Sequence, residues 1–162
     1  MIPIERVAGR IYLVRGRKVL FDFDLADMYG VETKVLNQAV SRNLERFPSD
    51  FMFKLTQLEV RNLRSQIVTS RWGGRRYLPR AFTQEGVAML SGVLRSRRAV
   101  EVNISIMRAF VRLRELLANN AELARKVEQH DRQIALLFEH VQHLLAPAPA
   151  KKNPIGFVRP KG

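Results

Sequence analysis

The sequence predicts an α+β fold, in which a small domain of β-hairpins and short helices precedes a long C-terminal helix. Three observations carry this prediction. Short β-branched runs lie beside turn residues, helix-capping patterns recur between them, and a heptad repeat begins at Leu113. We therefore expect a domain over residues 1–112, a coiled-coil helix over 113–145 and a basic, Pro-rich, disordered tail over 146–162.

The strands are expected to form hairpins. Ile11–Val14 and Val19–Phe23 are apolar runs joined by the cationic tip RGRK, and Phe51–Leu55 is a further short strand. Gly73 and Gly74 form the tightest hairpin signal in the chain, with arginines on both sides. This second hairpin would be a basic wing.

A pair of short helices is expected after the first hairpin. Asp24 is predicted to cap the helix Leu25–Tyr29, which Gly30 ends in a left-handed conformation. Thr33 is predicted to cap the next helix. The residues expected to hold this pair on the core are Ala26, Val31, Leu36, Ala39, Val40 and Leu44.

Capping patterns predict the remaining helices. Thr56 and Glu59 have capping-box spacing and open a helix that ends near Gln66. Thr83 is expected to cap the next helix, and the basic run 95–98 marks a break or a helix entry.

The heptad repeat predicts a parallel two-stranded coiled coil. A single Asn among β-branched a positions, with Leu at most d positions, favours two strands in a fixed register. The alternative is an amphipathic helix folded back on its own domain. From Leu113 onward, the predicted dimerisation residues are Leu116, Asn120, Leu123, Val127, His130, Ile134, Leu137, Val141 and Leu144.

Charge indicates a polyanionic partner. The net charge is +13 and the pI is near 11.2, with Arg outnumbering Lys. There is no Cys, which excludes disulfides and thiolate zinc sites. No apolar run has the length of a membrane span, and the N-terminal residues lack the apolar core of a secretory signal. We expect a cytoplasmic protein without a membrane partner.

The layout of residues 25–40 is typical of a helix-turn-helix, with the second helix facing DNA. Asn and Gln bind adenine, Arg binds guanine, and Thr, Lys and Ser suit phosphates. The basic wing would supply further contacts. The predicted DNA-binding residues are Thr33, Lys34, Asn37, Gln38, Ser41, Arg42, Arg71, Trp72, Arg75 and Arg76.

Three segments also carry a family resemblance. KVLFDFDLADMYGVETKVLNQAVSRNLERFPSDFMFKLT (18–56), LRSQIVTSRWGGRRYLPRAFTQEGVAMLSGVLRS (63–96) and VNISIMRAFVRLRE (102–115) resemble the phage Orf-six N-terminal domain, a relative of the KilA-N and Bro-N domains. The resemblance covers about residues 6–115. It implies a small α+β fold that binds DNA in phage, prophage and bacterial proteins, often in regulatory or antirepressor settings.

The leading hypothesis is a homodimeric, sequence-specific regulator that binds double-stranded DNA. The alternative is an antirepressor-like module that binds another regulatory protein through its coiled coil. We expect neither an enzyme nor a cofactor or metal site, because the acidic residues are scattered and no Walker-type loop is present. His140 and His143 are spaced as metal ligands but lack a third partner nearby in sequence.

Overall fold

The computed structural model describes residues 2–66, 77–122 and 125. Within them, a four-stranded antiparallel sheet is combined with helices, which confirms the predicted α+β class. In chain order the elements are α1 (Ile4–Ala8), β1 (Tyr12–Val14), β2 (Arg17–Phe21), α2 (Asp22–Tyr29), α3 (Thr33–Ser41), a 3₁₀ turn (Leu44–Arg46), β3 (Met52–Lys54), α4 (Gln57–Gln66), β4 (Arg80–Phe82), α5 (Gln84–Val93) and α6 (Arg97–Ala118).

The first hairpin is confirmed, with a shorter loop than expected. Val14 pairs with Arg17, so only Arg15 and Gly16 form the loop. Both have positive φ, 54° and 73°, as a two-residue turn of the I′ kind requires. Arg15 then reaches across to α4, where its guanidinium pairs with Glu59 at 2.8 Å.

Strand β4 is an inner strand of the sheet, although the sequence predicted no strand at these residues. The strand order is β1-β2-β4-β3. Phe82 lies opposite Leu20 on one side and Met52 on the other. The three residues of β4 carry no periodicity of their own, so this long-range insertion was not visible in the sequence.

Helix α2 begins earlier than predicted. It starts at Asp22, directly after β2, and Asp24 does not act as its cap. Instead Asp24 is fully buried, with Arg10 Nη1 3.5 Å from its carboxylate. Gly30 ends the helix in the left-handed conformation, as expected, with φ 74°. Helix α3 starts at Thr33 with Glu32 as its cap, one residue before the predicted cap.

The predicted caps of α4 and α5 are confirmed. Thr56 N–H donates to Glu59 Oε1 at 2.8 Å, and Glu59 N–H donates to Thr56 Oγ1 at 3.2 Å, so the capping box is closed in both directions. Thr83 Oγ1 accepts from Gly86 N–H at 3.3 Å. The basic run 95–98 is a helix entry, because Ser96 caps α6 by accepting from the N–H of Ala99.

One apolar core joins the sheet to helices α1 to α6. Phe47, Phe53, Phe82 and Phe110 belong to this core, whereas Phe51 is only half-buried. The phenyl rings of Phe47 and Phe82 meet edge to face at 5.9 Å between centroids. These aromatic residues are therefore packing residues.

Helix α6 crosses the predicted boundary between residues 112 and 113 without a break. Leu113, the first predicted heptad position, is 0% exposed in the core of the domain. The helix ends at Ala118 with Asn119 as its cap, and helical backbone resumes at Ala121. The heptad pattern therefore begins at a residue on the buried face of α6. The non-helical residues Asn119 and Asn120 separate α6 from the heptad positions that follow.

Candidate nucleic-acid interface

Helix α3 has an apolar face in the core and a polar face at the surface. Leu36 and Val40 are each 0% exposed. Lys34, Gln38 and Arg42 are exposed, and their spacing of four residues places them on one side of the helix. Because the buried pair anchors the backbone, the three polar side chains are presented outward in a fixed register.

Two other predicted contact residues of α3 have partners within the protein. Asn37 Nδ2 donates to Asp22 Oδ2 at 2.8 Å. Arg80 donates from Nη1 to Asn37 O at 3.2 Å and from Nη2 to Ser41 Oγ at 3.0 Å. Thr33, on the same flank of the helix, is half-buried. The outward face and this lateral flank are thus distinct surfaces.

The turn between α2 and α3 is closely packed. Besides its positive φ, Gly30 lies close to Arg98, since a Cβ there would be 3.1 Å from Arg98 Nε. The same Nε donates to Met28 O at 3.1 Å, near the end of α2. Val31 is 36% exposed and Leu44, beyond the end of α3, is 53% exposed, so the expectation that these two residues lie in the core is wrong.

Three arginines that were not among the predicted contact residues lie near this site. Arg80 flanks α3, and Arg98 lies at the turn between α2 and α3. Arg46 lies against α5, where a Cβ at Gly92 would be 3.2 Å from its Nη1. Arg80 is 43 residues from its partner Asn37. Only the general excess of Arg in the sequence pointed toward such residues, because no local pattern spans that distance.

The profile of the ORF6N domain matches residues 9–93, which is more than half of the chain. The chain belongs to the ORF6N-domain family. The predicted resemblance to the phage Orf-six N-terminal domain is thereby confirmed. No curated protein and no solved structure matches the chain.

The ORF6N match covers the sheet, the α2–α3 pair and α5, and ends before α6 begins. Helix α6 nevertheless packs as part of the same domain. Tyr29 donates its hydroxyl to Asn103 Oδ1, which ties α2 to α6 in the interior. Burial raises the pKa of Tyr29, so this hydroxyl stays protonated as a donor over the whole physiological range.

The basic wing lies outside the described residues of this ORF6N chain. Arg71, Trp72, Arg75 and Arg76 are therefore predictions that the structure does not address. Tyr77, the first described residue after them, is half-buried. Burial and the charge of Asp22 raise the pKa of its hydroxyl.

The predicted dimerisation residues are divided by the end of α6. Leu116 is half-buried against the domain core, and Asn120 is exposed beyond the helix end. Leu116 is near the C-terminal end of α6, and Asn120 follows its C-cap. The remaining predicted seam residues lie outside the described part of the chain: Leu123, Val127, His130, Ile134, Leu137, Val141 and Leu144.

Within residues 2–66, 77–122 and 125, no cluster of three His, Cys, Asp or Glu could hold a metal ion. No helix in this part of the ORF6N chain combines the length and apolar character needed to cross a membrane. His140 and His143 lie outside the described residues.

Proposed function

We propose that this ORF6N protein is a sequence-specific binder of double-stranded DNA and acts as a transcriptional regulator in a phage-related setting. The observation that carries the proposal is the outward face of α3, where Lys34, Gln38 and Arg42 project from a helix anchored by two buried residues. The chemistry is binding, not catalysis.

The dimensions of α3 suit a recognition helix. Its nine residues span about 13 Å, and the major groove, about 12 Å wide, admits one α-helix. Gln38 can bind adenine with two hydrogen bonds, and Arg42 can bind guanine in the same way. Lys34, near the first turn, is suited to a phosphate. The α2–α3 pair is then a helix-turn-helix whose turn is closed by Gly30.

The electrostatic balance supports a nucleic-acid partner. The net charge of +13 favours attraction to a polyanion and a binding constant that falls steeply with salt. The arginines that border the two helices add to this positive surface. The predicted wing residues Arg71, Trp72, Arg75 and Arg76 would extend the contact to the backbone or the minor groove.

Pairing of two chains completes the proposal. We assign it to the heptad residues from Leu123 to Leu144, beyond the helix break, because Leu113 lies in the domain core. Two copies would present two recognition helices to a repeated or palindromic site. The second candidate function is an antirepressor-like module that binds another regulator through these heptads. The end of α6 at Ala118 supports this candidate, because it separates these heptads in sequence from the residues that pack on the domain core.

The test is a triple substitution on α3, Lys34→Ala, Gln38→Ala and Arg42→Ala. A matched control is Lys54→Ala, Gln57→Ala and Arg61→Ala, which removes the same three residue types from exposed positions on β3 and α4. Both variants lose the same charge, so any difference between them reports the position of the side chains.

We expect the α3 variant to bind selected duplex DNA at least about 30-fold more weakly, because two base contacts are worth about 1–3 kcal/mol each. The control should lose less than about threefold, and both should keep the wild-type melting temperature. Equal losses would reduce the interface to a general effect of charge. No loss in either variant would favour the protein-interaction module.

A further inference from the structure

A buried carboxylate connects α3 to the central strand β4. Asp22 is 0% exposed at the first position of α2. Its Oδ1 accepts from Phe23 N–H at 2.8 Å, and its Oδ2 accepts from Asn37 Nδ2 at 2.8 Å and from Arg80 N–H at 3.2 Å. Oδ2 therefore joins a side chain of α3 to the backbone of β4 through a single atom.

The guanidinium of Arg80 makes a second connection between the same two elements. It donates to Asn37 O at 3.2 Å and to Ser41 Oγ at 3.0 Å. Both connections end on the lateral flank of α3, which lies between its buried face and its outward face. Rotation of α3 about its axis would break the two sets of bonds together, so they fix where Lys34, Gln38 and Arg42 point.

The same strand leads back toward the predicted wing. Arg80 is the first residue of β4 and follows residues 71–76 after only a few positions. The hydrogen bonds from Asn37 and from Arg80 N–H place Asp22 between the flank of α3 and the first residue of β4.

A polar group at this place is costly for stability. Burial raises the pKa of Asp22, and the donors around it oppose that rise without cancelling it. An apolar residue would avoid this desolvation. The advantage of a carboxylate is geometric, because two donors from different elements must meet one oxygen atom at hydrogen-bond distance.

We propose that Asp22 is a positioning residue for DNA reading, which sets the orientation of α3 relative to β4, with Asn37 as the link in place of a base contact. This inference rests on the proposed function, since it concerns how the recognition helix is held. The side chains of Asp22 and Asn37 act on DNA only through the residues that they place.

The first test is Asp22→Asn, which keeps the shape of the side chain. The amide NH2 of the asparagine takes the place of either Oδ1 or Oδ2 and cannot accept a hydrogen bond there. The variant must therefore lose either the bond from Phe23 N–H or the bonds from Asn37 and Arg80. Affinity for the selected duplex relative to random duplex should fall at least about tenfold, the discrimination of one well-made base contact. The slope of log affinity against log salt should stay within about one unit, because phosphate contacts are retained.

Asp24→Asn is the matched control. Asp24 is also 0% exposed on α2, but the cation beside its carboxylate is Arg10, at 3.5 Å. This variant neutralises a second buried carboxylate on α2, whose salt bridge is made with Arg10 and not with a residue of α3 or β4. Its ratio of specific to random affinity should equal that of the wild type. A drop as large as that of Asp22→Asn would overturn the inference, since any buried charge on α2 would then matter equally.

A second variant keeps the inference testable if Asp22→Asn does not fold. Asn37→Ala removes the link from α3 and leaves Asp22 its two backbone donors. We expect weakened preference across the whole site from Asn37→Ala alone. Where Asp22→Asn folds, combining the two substitutions should add no further loss. Loss of preference at one or two adjacent base pairs would make Asn37 a base reader and overturn the inference.

Motif enrichment by the wild-type protein distinguishes failure of this inference from failure of the proposed function. If the wild-type protein enriches a motif and both Asp22→Asn and Asn37→Ala enrich it equally well, the positioning role is wrong and the DNA-binding function stands. If the wild-type protein enriches no motif, both are wrong.

Discussion

Substitution of Leu113 by Ala tests whether the end of α6 belongs to the folded domain. Leu113 is 0% exposed, so the truncated side chain leaves a cavity surrounded by core residues. Fully buried Leu→Ala substitutions cost about 2.7–5.0 kcal/mol, and a site enclosed on all sides should lie in the upper half of this range. We therefore expect a loss of about 4 kcal/mol, a large part of the stability of a domain this size.

Urea unfolding at two protein concentrations, tenfold apart, measures this loss. The midpoint of Leu113→Ala should fall by the same amount at both concentrations, because the lost contacts are within one chain. Val111→Ala is the control, since Val111 is 41% exposed on the same helix and should lose less than about 0.5 kcal/mol. A loss that appears only through weaker dimerisation would refute the assignment of Leu113 to the core.

Two further predictions concern α5 and α4. Gly86→Ala should destabilise the protein by about 1–3 kcal/mol, because its Cβ would lie 2.1 Å from Phe51 O. Gly92→Ala on the same helix should be neutral or stabilise by up to about 1 kcal/mol. Thermal unfolding of the two variants measures both effects. Glu59→Gln keeps the cap but loses the pairing with Arg15 that lowers the pKa of Glu59. The loss of stability should be only about 0.5 kcal/mol near pH 7, because Arg15 is 43% exposed. This loss should vanish as the pH falls through the lowered pKa of Glu59. A loss that stays constant down to pH 3 would contradict the ion pair between Glu59 and Arg15.

Local patterns predicted the elements whose signals are local. The capping box of Thr56 and Glu59, the cap at Thr83 and the left-handed Gly30 depend on neighbouring residues, and all three are present. The ORF6N resemblance was likewise carried by contiguous segments. Such features are fixed by hydrogen bonds within a few positions, so a single sequence contains the information they need.

Features that depend on distant contacts were missed or misplaced. Strand β4 pairs Phe82 with Leu20, and Asp24 is buried beside Arg10 instead of capping a helix. The heptad pattern at Leu113 was assigned to a dimer seam, although the same spacing also suits a helix that packs on its own core. Periodicity identifies an apolar face but not what covers it.

The sequence predicted the exposed residues of the candidate site but not the residues that hold α3 in place. Lys34, Gln38 and Arg42 are exposed, as a recognition surface requires. Asn37 has the side-chain type of an adenine reader, yet its amide nitrogen donates to Asp22. Residue type gives the chemistry available at a position, whereas the partner is decided by residues far along the chain.

Selection from a random pool of duplex DNA, repeated across a salt series and followed by sequencing, tests the central claim most directly. We predict enrichment of one motif, with affinity that falls steeply as salt rises, and loss of that motif when Lys34, Gln38 and Arg42 are replaced by Ala. Retention without any motif, or enrichment that survives the triple substitution unchanged, would contradict the account.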